Sequence, residues 1–155
     1  MERPTTQSRR GRRGDAEELN ALSEDVIGAA IAVHRTLGPG LLESTYEVCL
    51  DYELTRVFKV RVRRQQTVPI VYRDLLVEDA YRLDLEVSDV RGVVLVEIKA
   101  VKEIAAVHEA QLLTYLKMAD RPLGLLINFN VTRLIDGVRR VVHDFPAETT
   151  PSPSS

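Results

Sequence analysis

The 155-residue chain has a single cysteine, Cys49. No disulfide can form within it, and no cysteine-based zinc site can be built from it alone. Cys49 falls in an apolar helical stretch and is expected as a core thiol. No apolar run approaches the roughly 18 residues that span a bilayer, so no membrane association is expected. The charges at the N-terminus are not followed by an apolar stretch. That argues against a secretory signal and for a cytoplasmic protein. A basic excess is also missing: 21 Lys and Arg stand against 23 Asp and Glu, for a net charge of −2. A general duplex-gripping surface would show the opposite balance. Nucleic-acid contact therefore falls to local patches such as Lys59, Arg61, Arg63 and Arg64, or Arg133, Arg139 and Arg140. Solvated strand edges are the plainer reading of both patches. No second histidine lies at metal-ligand spacing from His108, which argues against zinc.

What is present is the composition of a globular protein, 45% hydrophobic and 28% charged, long enough for one core and too short for two. Residues 1–17 are polar and Arg-rich, without apolar periodicity, and read as a disordered tail whose Arg9, Arg10, Arg12 and Arg13 could touch phosphate. Residues 147–155 are rich in Pro, Ser and Thr and read the same way. A single domain is expected over 18–146.

Within it, Ser23 reads as a helix N-cap, with Glu24 and Asp25 in the first turn and Leu22 and Ile27 as a hydrophobic staple. Gly38-Pro39-Gly40 ends that helix, and a second runs from about Leu41 to Val57. The period then changes to two. Strands are expected over Thr67–Tyr72, Tyr81–Val87 and Val93–Ile98, the last a nearly continuous apolar run of the kind covered on both faces. Helix returns over 103–118, then a buried strand over Leu123–Asn128. Asp136-Gly137 signals a hairpin turn into Val138–Val142. The order α-α-β-β-β-α-β-β predicts an α/β fold, a mixed sheet flanked by helices.

Ser88–Gly92 is the only turn-rich stretch between the strands at 81–87 and 93–99. Pairing Ser88 with Val93 puts Val87 opposite Val94 and Asp84 opposite Glu97. Opposed residues on an antiparallel pair have Cβ atoms about 4.5–5.5 Å apart on one face. Two carboxylates that close repel unless a cation, a proton or a basic neighbour intervenes. Hard oxygen donors of this kind suit Mg²⁺ or Mn²⁺. Lys99, two residues beyond Glu97, shares its face. The alternative is a surface ion pair at the strand end, joining Glu97 and Lys99 to Asp84 or Arg82. Glu43 and Tyr46 are three apart on one side of the second helix. Gln111 falls in line with Val107, His108 and Tyr115 on a stripe read as core-facing, where an amide needs partners.

These residues resemble a known family. Gly40-Leu-Leu-Glu43-Ser-Thr-Tyr46 matches the motif of the GxxExxY proteins. The likeness continues through Tyr81-Arg-Leu-Asp84, Val96-Glu97-Ile-Lys99-Ala100, His108-Glu-Ala-Gln111-Leu-Leu-Thr-Tyr115-Leu and Gly124-Leu-Leu-Ile-Asn128-Phe129, covering almost all of 19–145. That family is similar to a branch of the PD-(D/E)xK nucleases. The resemblance implies a nuclease-like core and hydrolysis of nucleic-acid phosphodiesters, DNA foremost. By it, Asp84 and Glu97 are metal ligands, with the main-chain carbonyl of Ile98 and the helical Glu43 completing the set around Mg²⁺ or Mn²⁺. Lys99 acts on the attacking water and the phosphate. Gln111 and Tyr115 match a Q-x-x-x-Y helix that supports the site; with Tyr46 and Arg82 they are the candidates for support or substrate contact. Leu83 stands where the superfamily motif has Pro. The rival expectation is a non-catalytic binding or assembly module that keeps the fold. A unit this small would grip a duplex poorly, so a second copy or a partner protein is expected.

Overall fold

The structure is a computed structural model that describes residues 13–147. The remainder of the two expected tails, 1–12 and 148–155, lies outside the described residues. Helix α1 spans Arg13–Leu37 and α2 Glu43–Arg56. Strands β1 (Arg61–Tyr72), β2 (Leu75–Asp89) and β3 (Gly92–Lys99) follow, then α3 (Ala106–Ala119), β4 (Leu123–Asn128), a 3₁₀ turn at Leu134–Gly137 and β5 (Val138–Val142). The strands form one sheet in the order β1-β2-β3-β4-β5. Only the β3–β4 pair is parallel, as its crossover through α3 requires. The element order and the mixed sheet are those expected.

Two layers cover the sheet. Leu19, Leu22, Val26, Ala30 and Val33 of α1 and Tyr46, Leu50 and Leu54 of α2 pack on Leu85, Val87, Val94, Val96, Ile98, Leu125 and Ile127. Leu112, Tyr115 and Leu116 of α3 cover Leu83, Leu95 and Leu126 on the other side. All six residues of β4 are buried, as a central strand between two helical layers must be. Gly124 sits under α3, where a Cβ would lie 3.1 Å from three carbons of Leu112. Among the described residues no helix is long and apolar enough to cross a membrane.

Several boundaries differ from expectation. Helix α1 begins at Arg13, inside the stretch expected to be disordered, and Ala16 is buried there. The apolar line continues backwards from Leu22 through Leu19 to Ala16, but acidic neighbours mask it. Ser23 is consequently no cap. It lies inside the helix, buried, with its hydroxyl donating to the Asn20 carbonyl, the back-bonding that lets a serine sit in a helix. Strand β1 starts at Arg61, not Thr67: of its first residues only Val62, opposite Val87, packs on the core, and the exposed arginines around it hide the apolar alternation. Asp136-Gly137 belongs to a 3₁₀ turn, not a two-residue hairpin. Cys49 is only partly buried, at the margin of the larger core.

Candidate active site

The hairpin register is the one the turn residues dictate: Ser88 opposes Val93, Val87 opposes Val94, and the ladder ends at Leu85 opposite Val96. One step further, carboxylate–amide bonds replace ladder bonds. The Asp84 N–H donates to Glu97 Oε1 at 3.1 Å, and the Ile98 N–H donates to Asp84 Oδ2 at 2.8 Å. Each acid is thus held by the main chain of the opposing strand.

Strand alternation fails at this step. Leu83 packs under α3 while Leu85, two residues on, packs under α1 and α2. On the neighbouring strand, Arg64 opposes Leu85 and Gln66 opposes Leu83. Gln65 between them has a φ of 53°, a conformation that costs a non-glycine residue about 1–3 kcal/mol. The break lets adjacent residues reach one target. Arg64 donates to Glu47 Oε2 through Nε (3.0 Å) and Nη2 (2.9 Å), and Gln65 Nε2 donates to Glu47 Oε1 (2.7 Å) and to Asp84 Oδ1 (3.3 Å).

Helix α2 brings the remaining acids. Glu43 begins it and accepts the Ala100 N–H at 3.0 Å. Glu47, one turn on and on the same side, is buried. Tyr46 is fully buried, its ring stacked on Phe129 at 4.5 Å. Its hydroxyl donates to the Gly38 carbonyl (2.6 Å) and accepts the Leu41 N–H (3.1 Å). Tyr46 therefore fixes the loop between α1 and α2, whose Leu41 and Leu42 line a cleft of about 560 Å³ with Glu43, Glu47 and Asp84. Glu97, 7% exposed, is not on the wall of that cleft.

The electrostatics follow from crowding acids in a poorly solvated place. Burial, then the nearby Asp84 charge, push the Glu97 carboxyl up to about 8, against the opposing pull of the Asp84 amide and Lys99. Burial also raises Asp84, and the Glu47 charge adds to it, while the Ile98 amide and Gln65 pull it down. Two phenols flank the acids. Tyr81 and Tyr115 meet edge-on at 5.4 Å. Burial, then Glu86 and Glu97, push Tyr115 up to about 12.

Lys99 is half-buried at the end of β3. Among the described residues no ion pair joins Lys99 to Glu97 or Asp84, and none joins Arg82 to either acid, so the surface ion-pair alternative does not hold; the Lys99 charge acts on Glu97 from further away. Its main chain is fixed from β4: the Phe129 N–H donates to the Lys99 carbonyl at 2.9 Å. The Asn128 side chain accepts the Val101 N–H and donates to the Val101 carbonyl. Tyr115 is buried on α3 with its hydroxyl 3.4 Å from the Gln66 carbonyl. Gln111 is exposed, as is Val107. The inward side of α3 runs through Leu112, Tyr115 and Leu116 instead, so the stripe through Gln111 is not core-facing. His108 caps its helix, accepting the Ala105 N–H at Nδ1. Arg82 is exposed on β2. Of the basic patches, Arg64 is taken by Glu47, Arg139 donates to the Asp136 and Val138 carbonyls, and Arg140 reaches Asn20 and covers the Phe145 ring.

The donors fit a hard divalent cation. They are carboxylate oxygens without thiol or imidazole, and amide bonds orient one oxygen each on Asp84, Glu97 and Glu43. Among the described residues, no three His, Cys, Asp or Glu side chains converge closely enough to hold an ion by themselves. The three acids expected as ligands, Asp84, Glu97 and Glu43, therefore do not form such a group by themselves. Glu47 and Gln65 are not among the expected site residues, and Arg64 is expected only in a surface basic patch, not against Glu47. Glu47 was within reach of sequence reasoning, one helical turn from Glu43. Gln65 was not, since its direction depends on a backbone angle.

A family model described as that of the PD-(D/E)XK nuclease superfamily matches residues 20–141. The crystal structure of SSO0001 superposes with a TM-score of 0.50 at 17% identity, over 86% of this chain and 64% of that one. This chain thus spans slightly under two thirds of that protein, and the likeness is one of fold. No curated protein matches the sequence.

Proposed function

Since the chain belongs to the PD-(D/E)XK nuclease superfamily, we propose that it hydrolyses nucleic-acid phosphodiesters, with DNA as substrate, using Mg²⁺ or Mn²⁺ held by Asp84 and Glu97. One observation carries the reading: two carboxylates from adjacent strands are each held by the opposing main chain, both with raised pKa, beside a lysine that forms an ion pair with neither. Acids so placed favour a proton or a cation. A bound divalent cation supplies charge that acidifies a water and stabilises the leaving oxygen.

The chain's own residues do the rest. Asp84 and Glu97 bind the ion with the Ile98 carbonyl, and Glu43 on α2 completes the acidic surround. Lys99 shares the face of Glu97, so its ammonium serves the attacking water and the scissile phosphate. Tyr46 and Tyr115 support the site from buried positions. Exposed Gln111 and Arg82 are available to the nucleic-acid backbone.

The test pairs a cleavage screen with a titration. Single- and double-stranded DNA and RNA are offered to the wild type and Lys99→Ala with Mg²⁺ or Mn²⁺. The same ions are titrated into the wild type and Asp84→Ala by calorimetry. Cleavage lost in Lys99→Ala and binding lost in Asp84→Ala support the reading. Equal, negligible binding in both proteins and no cleavage of any substrate overturn it, leaving a non-catalytic module with the nuclease fold.

A further inference from the structure

Leu42 breaks two local preferences at once. It is the N-cap of α2, with φ −71° and ψ 149°, and its side chain makes no capping hydrogen bond. Ser, Thr, Asp or Asn at that position would satisfy a free N–H of the first turn, which leucine cannot do. It is also 73% exposed, and Leu41 beside it 41%; neither belongs to a core. The loop that presents them is held in place. Gly38 and Gly40 take φ values of 71° and 102°, and the Tyr46 hydroxyl binds both the Gly38 carbonyl and the Leu41 N–H. Departures from local preference gather at functional positions. This one lies on the wall of the cleft that Glu43, Glu47 and Asp84 also line.

The charge of that wall limits what can enter. Glu47 is taken by Arg64, Glu43 and Asp84 remain, and among the described residues no basic side chain lines the cleft. A divalent ion bound there is offset by the acids, so no positive charge is left over for further phosphates. A firm grip on a duplex draws on many phosphate contacts, and this wall does not supply them. Beyond the phosphodiester at the ion, a nucleotide has to be held through its sugar and base. The cleft, about 560 Å³, falls within the roughly 300–1,000 Å³ of sites that enclose one small organic group.

We propose that Leu42, backed by Leu41, takes the nucleobase next to the phosphodiester held at Asp84 and parts that base from its stacking neighbour. The inference rests on the reading of the cleft as the place that holds a phosphodiester, and it names Leu42 as a residue that sets specificity. Leucine is among the apolar side chains that wedge between bases. Opening a stack costs free energy, least where the base is already unpaired. The substrate class is therefore a strand with unpaired bases at the point of attack, whether a single strand, an overhang or a loop.

The test reads binding and stacking, not cleavage. In the Lys99→Ala background with Mg²⁺, fluorescence anisotropy follows a short single-stranded DNA oligonucleotide and a blunt duplex of the same length. A second single strand carries 2-aminopurine, whose emission is quenched by stacking. The single strand should bind about tenfold tighter than the duplex, and 2-aminopurine emission should rise on binding. Adding Leu42→Ser should weaken single-strand binding about tenfold, the order expected when a leucine loses its cover, and abolish the rise. Leu42→Met should keep both. Leu42→Ser should also melt no lower than its parent, since serine caps a helix better than leucine; a clear fall would make the leucine structural and overturn the inference. Equal binding of single strand and duplex, or a Leu42→Ser protein that binds and unstacks like its parent, overturns it too; if the wild type still cuts, the nuclease reading stands without it. Selective, Leu42-dependent binding with no cleavage by the wild type supports the base site and removes the nuclease reading alone. Self-association lost in Leu42→Ser, with no oligonucleotide bound, overturns the inference in favour of a protein contact.

Discussion

The side-chain amide of Gln65 joins Glu47 to Asp84, standing 2.7 Å from Oε1 of the first and 3.3 Å from Oδ1 of the second. Asp84 is therefore oriented twice, by the Ile98 amide from β3 and by Gln65 from β1. Groups that orient a ligand typically matter 10–100-fold in metal affinity. Gln65→Gly separates the amide from the backbone. Glycine adopts a φ near 53° without steric cost, so folding should hold while Mn²⁺ affinity falls by roughly that factor. Calorimetric titration of the wild type and Gln65→Gly measures it. Unchanged affinity means that Ile98 alone suffices to hold Asp84.

Glu97 makes metal-free stability depend on pH. Its carboxyl rises from 4.5 to about 8 on folding, so between those values the native state binds more protons than the unfolded chain. Stability then falls as pH rises. The contribution is fully present below about pH 4.5 and lost as pH passes 8. Asp84, also raised, acts with the same sign. Glu97→Gln keeps an oxygen for the Asp84 amide but cannot ionise. Metal-free wild type should be as stable as Glu97→Gln at pH 5 and clearly less stable at pH 8.5, with the gap closing when Mg²⁺ is added. Melting curves of both proteins across that range decide it; a gap independent of pH would show that Glu97 does not carry the proton.

Lys99 separates chemistry from folding. It is half-exposed and without an ion pair among the described residues, so Lys99→Ala should change stability by no more than about 0.5 kcal/mol. Loss of a group that activates the attacking water costs roughly 10²–10⁴ in rate. The expected result is a protein that melts and binds Mn²⁺ like the wild type yet cuts at least a hundredfold more slowly in single-turnover assays. A comparable loss of metal binding would place Lys99 in ion retention instead.

The parts of this site that could be read from the residues are those fixed by strand register. Two turn residues between apolar strands set Ser88 against Val93, and counting outward brings Asp84 to Glu97. What escaped depends on departures from regular geometry. Gln65 and Asp84 break the alternation on adjacent strands, and no residue preference announces a φ of 53° at a glutamine. The apolar line through Val107 and Gln111 lies one position away from the buried line through Leu112 and Leu116, so apolar spacing alone points Gln111 inward. The start of α1 is hidden because Ala16 and Leu19 are interleaved with acids, and a helix covering a sheet needs only its inward stripe to be apolar. Ser23 looked like a cap for the same reason.

The last prediction concerns the loop over the cleft. Tyr46 is the only link among the described side chains from α2 to both Gly38 and Leu41, and Leu41 and Leu42 form part of the cleft wall. Tyr46→Phe keeps the stack on Phe129 but removes the hydroxyl from a carbonyl and an amide. Leaving such groups unpaired costs about 1–3 kcal/mol, a fall of several degrees in melting temperature for a domain of this size. Tyr46→Leu removes the ring as well and should cost more, since burial of a stacked aromatic is lost with it. Neither change touches Asp84 or Glu97, so both variants should bind Mn²⁺ with affinity near that of the wild type at temperatures where they are folded. Limited proteolysis should cut between Leu37 and Leu42 faster in Tyr46→Phe. A variant with unchanged stability and protection would show that the hydroxyl is dispensable and that the loop is held by the chain ends it connects.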